Sequence, residues 1–166
     1  MEHLPALQVV IPLVAAGSCL LIRKASAVRV LAIAVAWVCL GIALTLLSQV
    51  QSAGTISYAL GGWLPPLGIE YRIDLLSAYV LVIVTAIAAV VFSFPLWGAE
   101  ITLSRERHFL FYASLLLCLT GLLGIAITGD VFNVFVFLEI SSLSAYTLIS
   151  LGRDRRALMA AFTYLI

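Results

Sequence analysis

Charge is scarce in this chain. Its 166 residues include only 9 Lys and Arg and 8 Asp and Glu, so charged residues make up 10% of it, whereas a soluble domain has about 25%. So few charges cannot cover a globular surface in water. Together with a hydrophobic fraction of 64% and a mean hydropathy of +1.20, this shortage indicates an integral membrane protein in a lipid bilayer.

Motifs for several other functions are missing. The net charge is +1 and there is no basic run, so nothing indicates nucleic-acid binding. Cys19, Cys39 and Cys118 all lie in apolar runs, and we interpret them as small buried hydrophobic residues. We find no nucleophile–base pair, metal-ligand cluster or phosphate-binding loop. The chain by itself is therefore predicted to be no enzyme and to bind no cofactor or metal.

Long apolar runs are what the sequence does have. We predict an all-α polytopic membrane protein, a single transmembrane domain over residues 1–166 with five full helices and an incomplete sixth. The sixth run starts at Ala157 and stops at Ile166, which as a helix rises only about 15 Å. We therefore interpret the chain as the front part of a longer protein. The five full runs are roughly 4–22, 30–50, 75–98, 109–128 and 131–151.

Basic residues alternate between the connections. All except Arg72 fall in the connections after the first, third and fifth helices. The positive-inside rule then places the N-terminus outside and the basic loops in the cytoplasm, in what we predict to be a bacterial or archaeal plasma membrane. The basic residues of these three connections are Arg23, Lys24, Arg29, Arg105, Arg107, Arg153, Arg155 and Arg156.

The longest connection, residues 51–73, joins helices 2 and 3 on the predicted outer side. TISYAL and GIEYRID are short, partly alternating runs, and GGW and LPP separate them. This pattern predicts a short external β-hairpin. The alternative is an irregular loop with Trp63 as an interfacial anchor.

One carboxylate, Glu139, stands in the middle of the fifth run. Helical spacing places Ser142, Tyr146 and Ser150 within about 80° of it around the axis. We call these four residues the polar stripe. A charge at the bilayer centre costs on the order of 3 kcal/mol, so Glu139 must take up a proton, pair with a cation or face water. All three are ingredients of a proton pathway, and the alternative is a protonated side chain that only joins helices.

Other polar residues have simpler interpretations. Asp130 and Asp74 stand where helices begin and are predicted N-caps, although Asp130 is also a weaker candidate for the proton pathway. His108 begins the fourth helix and is more typical of an interfacial residue than of a proton relay. Asn133 could belong to the capping region or bond across helices. In the fourth helix, Gly121 and Gly124 are predicted to allow close helix packing.

Two segments resemble a known family. GGWLPPLGIEYRIDLLSAY resembles the segment leading into helix 3 of the antiporter-like subunits of Mrp-type multisubunit cation/proton antiporters, and TGDVFNVFVFLEISSLSAYTLISLG resembles their helix 5. The combination favours the D-type branch of these subunits. The proton-pumping membrane subunits of respiratory complex I and of energy-converting hydrogenases share the architecture. The resemblance covers helices 1 to 5.

The resemblance implies a role for Glu139. In such subunits, with about fourteen helices built around two inverted repeats, the matching glutamate is essential to the proton path. In those subunits it pairs with a lysine of helix 7, and helix 7 is not among the helices predicted for these 166 residues. We therefore predict part of a cation (Na⁺ or K⁺)/proton antiporter subunit that assembles with other hydrophobic subunits. The alternatives are a proton-pumping subunit of a complex I-like oxidoreductase or hydrogenase, and a truncated remnant that transports nothing.

Overall fold

The computed structural model describes residues 3–63, 68–94, 107–152 and 155–165. This part of the chain contains six α-helices, one two-stranded sheet and, between the two strands, a short 3₁₀ helix at Leu60–Gly62. In order, the elements are α1 (Leu4–Ile22), α2 (Ala25–Ala53), β1 (Ile56–Ala59), β2 (Glu70–Ile73), α3 (Leu75–Ser93), α4 (His108–Ile127), α5 (Val131–Ser150) and α6 (Arg155–Leu165).

Five of these helices, α1 to α5, are long and apolar enough to cross a membrane. This confirms the predicted architecture of five spanning helices followed by a shorter one. The last helix, α6, begins at Arg155, two residues before the predicted start. That all 166 residues form one domain stays a prediction.

Two helices differ from their predicted bounds. α2 covers residues 25–53 instead of 30–50, because Arg29 and Gln51 interrupt the apolar run without interrupting the helix. Its 29 residues rise about 44 Å, more than the hydrocarbon thickness of about 30 Å, so its polar ends can reach the headgroups. α3 ends at Ser93 because Phe94 is extended, with ψ at 126°, as expected for a residue before proline. The predicted remainder, 95–98, lies outside the described residues, as do Arg105 and Arg153.

The predicted hairpin is confirmed. β1 and β2 pair antiparallel, with Ile56 opposite Ile73 and Ala59 opposite Glu70. Strand β2 also contacts the connection between α4 and α5, where the Gly129 backbone N–H donates to the Glu70 carbonyl at 2.9 Å. Ile73 is fully buried, so the hairpin is anchored on the helices.

Two contacts show which segments lie together at each end of the bundle. At one end a 2.8 Å hydrogen bond joins His3 Nδ1 and the Tyr58 hydroxyl, which brings the N-terminus to the hairpin. At the other end the Arg23 guanidinium lies 5.6 Å from the centre of the Phe109 ring, a cation–π contact between the end of α1 and the start of α4. The N-terminus, the hairpin and the start of α5 therefore share one end.

Helix α4 lies at the centre of the described bundle and α5 at its margin. In their most apolar stretches, 56% of α4 is buried against other parts of the chain, compared with 17% of α5. α4 packs extensively on both α1 and α5, while α2 packs on α3. Most of the surface of α5 is therefore open in this part of the protein.

Candidate functional site

Helix α5 positions the candidate site, and its ends are well defined. Asp130 is the N-cap, with Oδ1 accepting a hydrogen bond from the Phe132 backbone N–H at 3.1 Å. The predicted capping role of Asp130 is therefore confirmed. Asp130 and Glu139 are nine residues apart, which is about 14 Å along the helix axis. The structure does not bring these two carboxylates together.

One face of α5 packs against α4, and we call it the contact face: Asn133, Phe137, Ser141 and Ser144. Asn133 and Ser144 are buried. The Ser141 hydroxyl lies 3.9 Å from the Cys118 thiol of α4. Close packing at Gly121 and Gly124 was predicted, and the structure confirms it, since a Cβ atom at either position would meet Phe137 at less than 3 Å.

Glu139 lies on the other side of this helix. It is two residues after Phe137, which places the two side chains about 160° apart around the axis. Glu139 is exposed, and it forms no hydrogen bond or ion pair with the residues that the structure describes. Its carboxylate therefore faces the open side of α5, near the middle of a 20-residue span.

The rest of the polar stripe follows the same side. Ser142, Tyr146 and Ser150 are half-buried. The Ser150 hydroxyl donates to the Thr147 carbonyl at 2.8 Å, so its hydrogen is used within the helix. The hydroxyls of Ser142 and Tyr146 have no hydrogen-bond partner in the described part of the chain. The stripe thus extends from Glu139 towards the end of α5 at Ser150.

Large apolar side chains flank the stripe. Phe132 and Phe135, two turns and one turn before Glu139, are 70% and 60% exposed, and Leu143 is 51% exposed. A carboxylate between such side chains is in a surface suited to lipid or to further protein, not to bulk water.

His108 lies far from Glu139. It begins α4, and only 7% of it is exposed. Because Gly121 is beside the turn that carries Glu139, the thirteen residues between His108 and Gly121 correspond to a separation of about 20 Å along the helix axis. Within the described residues His108 Nε2 has no hydrogen-bond partner. It stands at the end of the helix pair towards which the polar stripe leads.

Two buried amides also stand out. Asn133 is 7% exposed, and its Nδ2 has no partner among the described residues, so neither alternative raised from the sequence accounts for that nitrogen. Gln8, which was not among the predicted functional residues, is fully buried, and its Nε2 donates to the Cys39 carbonyl at 3.2 Å. A polar residue inside the apolar run of α1 was the available signal for it.

No group of three His, Cys, Asp or Glu side chains in the described ranges is placed to hold a metal ion. The features that the structure does bring together are a central carboxylate, two hydroxyls on its face and an uncovered helix surface. Chemically, this arrangement can bind and release a proton and pass it between hydroxyl groups and water.

Known proteins resemble this chain over its whole length. No protein-family model matches it. NADH-quinone oxidoreductase subunit N of Desulforudis audaxviator is 44% identical over 170 aligned residues, covering 99% of this chain and 33% of that protein. The D-type subunit of the Na⁺/H⁺ antiporter of Bacillus subtilis is 31% identical over 170 aligned residues, covering 100% of this chain and 33% of that protein. The chain is a homologue of both proteins.

The resemblance drawn from helices 3 and 5 is therefore confirmed, and the chain is an integral membrane protein related to antiporter subunits. The fold agrees. A chain of the membrane-bound sulfane sulfur reductase, an archaeal respiratory membrane complex, superposes with a TM-score of 0.89 at 27% identity, covering 98% of this chain and 33% of that one. This chain thus spans about a third of the length of the curated relatives that it matches.

Proposed function

We propose that this chain is part of a membrane subunit that exchanges Na⁺ or K⁺ for protons, with Glu139 as the carboxylate that carries the proton inside the membrane. The observation that supports this proposal is the position of Glu139. It is at the middle of α5, on the face opposite the contact with α4, and it is exposed. A residue that served only to join α5 to its neighbours in this bundle would lie on the contact face.

The open side of α5 determines what an ionised Glu139 costs. An unpartnered charge at the bilayer centre costs on the order of 3 kcal/mol. A proton on Glu139 removes that charge, and a cation or water beside it compensates the ionised form. Because relatives are about three times as long as this chain, we propose that the cation comes from a segment equivalent to the part of the relatives that these residues do not cover. The helix 7 lysine implied by the resemblance is our candidate.

The polar stripe supplies the next steps of the pathway. Ser142 lies about 4.5 Å and Tyr146 about 10.5 Å from Glu139 along the helix axis. Each hydroxyl can accept a proton on one side while it donates one on the other, with water filling the gaps between them. The stripe ends near the level of His108, for which we propose a supporting role in proton uptake from the cytoplasmic surface.

The orientation of the chain in the membrane and its companion subunits are part of the same proposal. We place the N-terminus and the hairpin outside a bacterial or archaeal plasma membrane and the basic connections in the cytoplasm, since basic loops are retained on that side. We also propose that the subunit assembles with other hydrophobic membrane subunits. A solved relative with this fold occurs in a respiratory membrane complex.

The test is Glu139→Gln in the complete assembly, measured as Na⁺- or K⁺-driven proton movement in inverted vesicles with a fluorescent pH probe. Gln keeps the size of the side chain but holds no exchangeable proton. We expect a loss of exchange of about 100-fold or more, as for other positioned proton-transfer groups, with normal assembly. Glu70→Gln is the matched control, because Glu70 is a carboxylate of the hairpin and should leave exchange intact. Near-normal exchange in the assembled Glu139→Gln variant would refute the role.

A second candidate function is proton pumping in a complex that oxidises NADH with quinone. The observation that favours it is the higher identity to the oxidoreductase relative, 44% compared with 31% for the antiporter relative. Glu139 would have the same role, and the chain itself would carry no electrons. Purification from native membranes distinguishes the two functions. Flavin and iron–sulfur subunits in the same complex favour this candidate, whereas only small hydrophobic companions favour the antiporter.

A further inference from the structure

The backbones of α4 and α5 come unusually close at the level of Glu139. A Cβ atom added to Gly121 would lie 2.6 Å from the Phe137 carbonyl oxygen and 2.7 Å from the Ser141 backbone nitrogen. These two atoms are four residues apart, so they form one hydrogen bond of the α5 helix. Glu139 is in the turn that this hydrogen bond closes. Gly121 is thus in direct contact with the backbone that carries the carboxylate.

The contact leaves no room for a methyl group. Ordinary van der Waals contact for a Cβ atom begins at 3.4 Å, so an alanine at position 121 requires the two backbones to separate by about 0.8 Å. A third obstructing atom, Ser141 Cβ at 2.7 Å, is bonded directly to the same backbone, so none of the three atoms can move aside as the end of a flexible side chain could. At its outer end α5 is also tied to the hairpin through the Gly129–Glu70 hydrogen bond. The added methyl group would therefore displace the Glu139 turn more than the end of the helix.

We propose that Gly121 is a positioning residue for Glu139. Its missing side chain lets α5 approach α4 closely enough to set the distance between the carboxylate and the groups that cover the open face. This inference rests on the proposed function of Glu139. It goes beyond that proposal because it makes a glycine of α4, which packs on the face of α5 opposite Glu139, responsible for the position of the carboxylate.

Gly124, one turn further along α4, offers a useful contrast. The atoms nearest to a Cβ atom there would be ring atoms of Phe137, which it would overlap. Removing that ring should therefore relieve the overlap at Gly124 but not the backbone overlap at Gly121. Gly41 of α2 is the matched control, because it lies in a membrane-spanning helix and a Cβ atom there has nothing within 4 Å.

The experiment compares Gly121→Ala and Gly41→Ala in the complete assembly, through complex abundance, exchange rate and the pH of half-maximal exchange. A misplacement of about 1 Å can lower the rate of a reaction by as much as about 100-fold. The same misplacement changes how strongly the carboxylate interacts with charged groups on the open face, and therefore the pH dependence of exchange. For Gly121→Ala we expect a rate at least about 10-fold lower and a shifted pH profile, and for Gly41→Ala neither change.

If the Gly121→Ala variant does not assemble, the inference can still be tested with two other variants. These are Gly124→Ala alone and Gly124→Ala combined with Phe137→Ala. We expect a shifted pH profile in the single variant and its recovery in the double variant. A wild-type pH profile in an assembled Gly121→Ala or Gly124→Ala complex overturns the inference, even if the rate is lower, because packing damage alone lowers activity without moving the profile. Glu139→Gln is measured in parallel. If it remains active, the proposed function fails, and if it is inactive beside a normal Gly121→Ala, only the positioning role fails.

Discussion

Replacing Asn133 tests whether a buried polar group of α5 lowers the free energy of unfolding. It lies on the contact face with 7% of its surface exposed, and its Nδ2 has no partner among the described residues. A buried donor without a partner costs about 1–3 kcal/mol. Hydrogen bonds between membrane helices average only about 0.6 kcal/mol, since the unfolded chain also finds partners. We therefore expect the removal of this donor to increase the free energy of unfolding by about 1 kcal/mol.

Asn133→Leu is the variant that makes this test, because leucine keeps the branched shape of asparagine without its polar atoms. The assay is denaturant-induced unfolding of the purified assembly, in which the midpoint should rise. Ser144→Ala is the control. Ser144 is also buried on the contact face, but its hydroxyl donates to the Ile140 carbonyl at 2.6 Å, so its removal should not increase stability.

The opposite result would refute this reasoning. If Asn133→Leu and the smaller Asn133→Val both lower the free energy of unfolding by more than about 1 kcal/mol, Nδ2 has a partner in the assembled protein. A stabilised variant with reduced exchange would instead indicate that Asn133 is kept for function at the expense of stability.

Two further predictions concern the ends of helices. The hydrogen bonds from the Ser77 backbone and side chain lower the pKa of Asp74 below 3.8, so the stability of this cap is present above that pH and is lost as the pH falls through the folded-state pKa. The difference in thermal midpoint between wild type and Asp74→Asn should therefore shrink in acid, and a constant difference contradicts the assignment. Ser52 and Ser26 are near opposite ends of α2, so a membrane-impermeant maleimide added to intact cells should label Ser52→Cys but not Ser26→Cys. The reverse pattern would invert the proposed topology.

Local features of the fold were predictable because local chemistry sets them. The hairpin followed from short alternating runs separated by Gly and Pro, and the Asp74 and Asp130 caps followed from short acidic residues placed before apolar runs. Helix ends were less predictable. The predicted second helix began too late because Arg29 interrupts the apolar run. Hydropathy indicates where a chain leaves the lipid, and not where its backbone stops being helical.

Some features of the candidate site were likewise predictable from the sequence, and others were not. That Glu139, Ser142 and Tyr146 share one side of a helix follows from the helical repeat alone, and a carboxylate in an apolar span is by itself a functional hypothesis. That Gly121 and Gly124 would allow close packing was also predictable. Their contact with Phe137 was not, because a glycine indicates that something comes close without indicating which element does so.

The sequence by itself determined the class of protein, the number of spanning helices, the alternation of the connections and the central carboxylate. Only the tertiary structure decided which face of α5 meets α4, and therefore that Glu139 lies on the open side. The physical reason is the solvent. In water, an amphipathic pattern distinguishes the core face of a helix from its exposed face. In a bilayer, lipid and protein neighbours are equally apolar, so hydropathy is similar on all faces and only packing shows which face is covered.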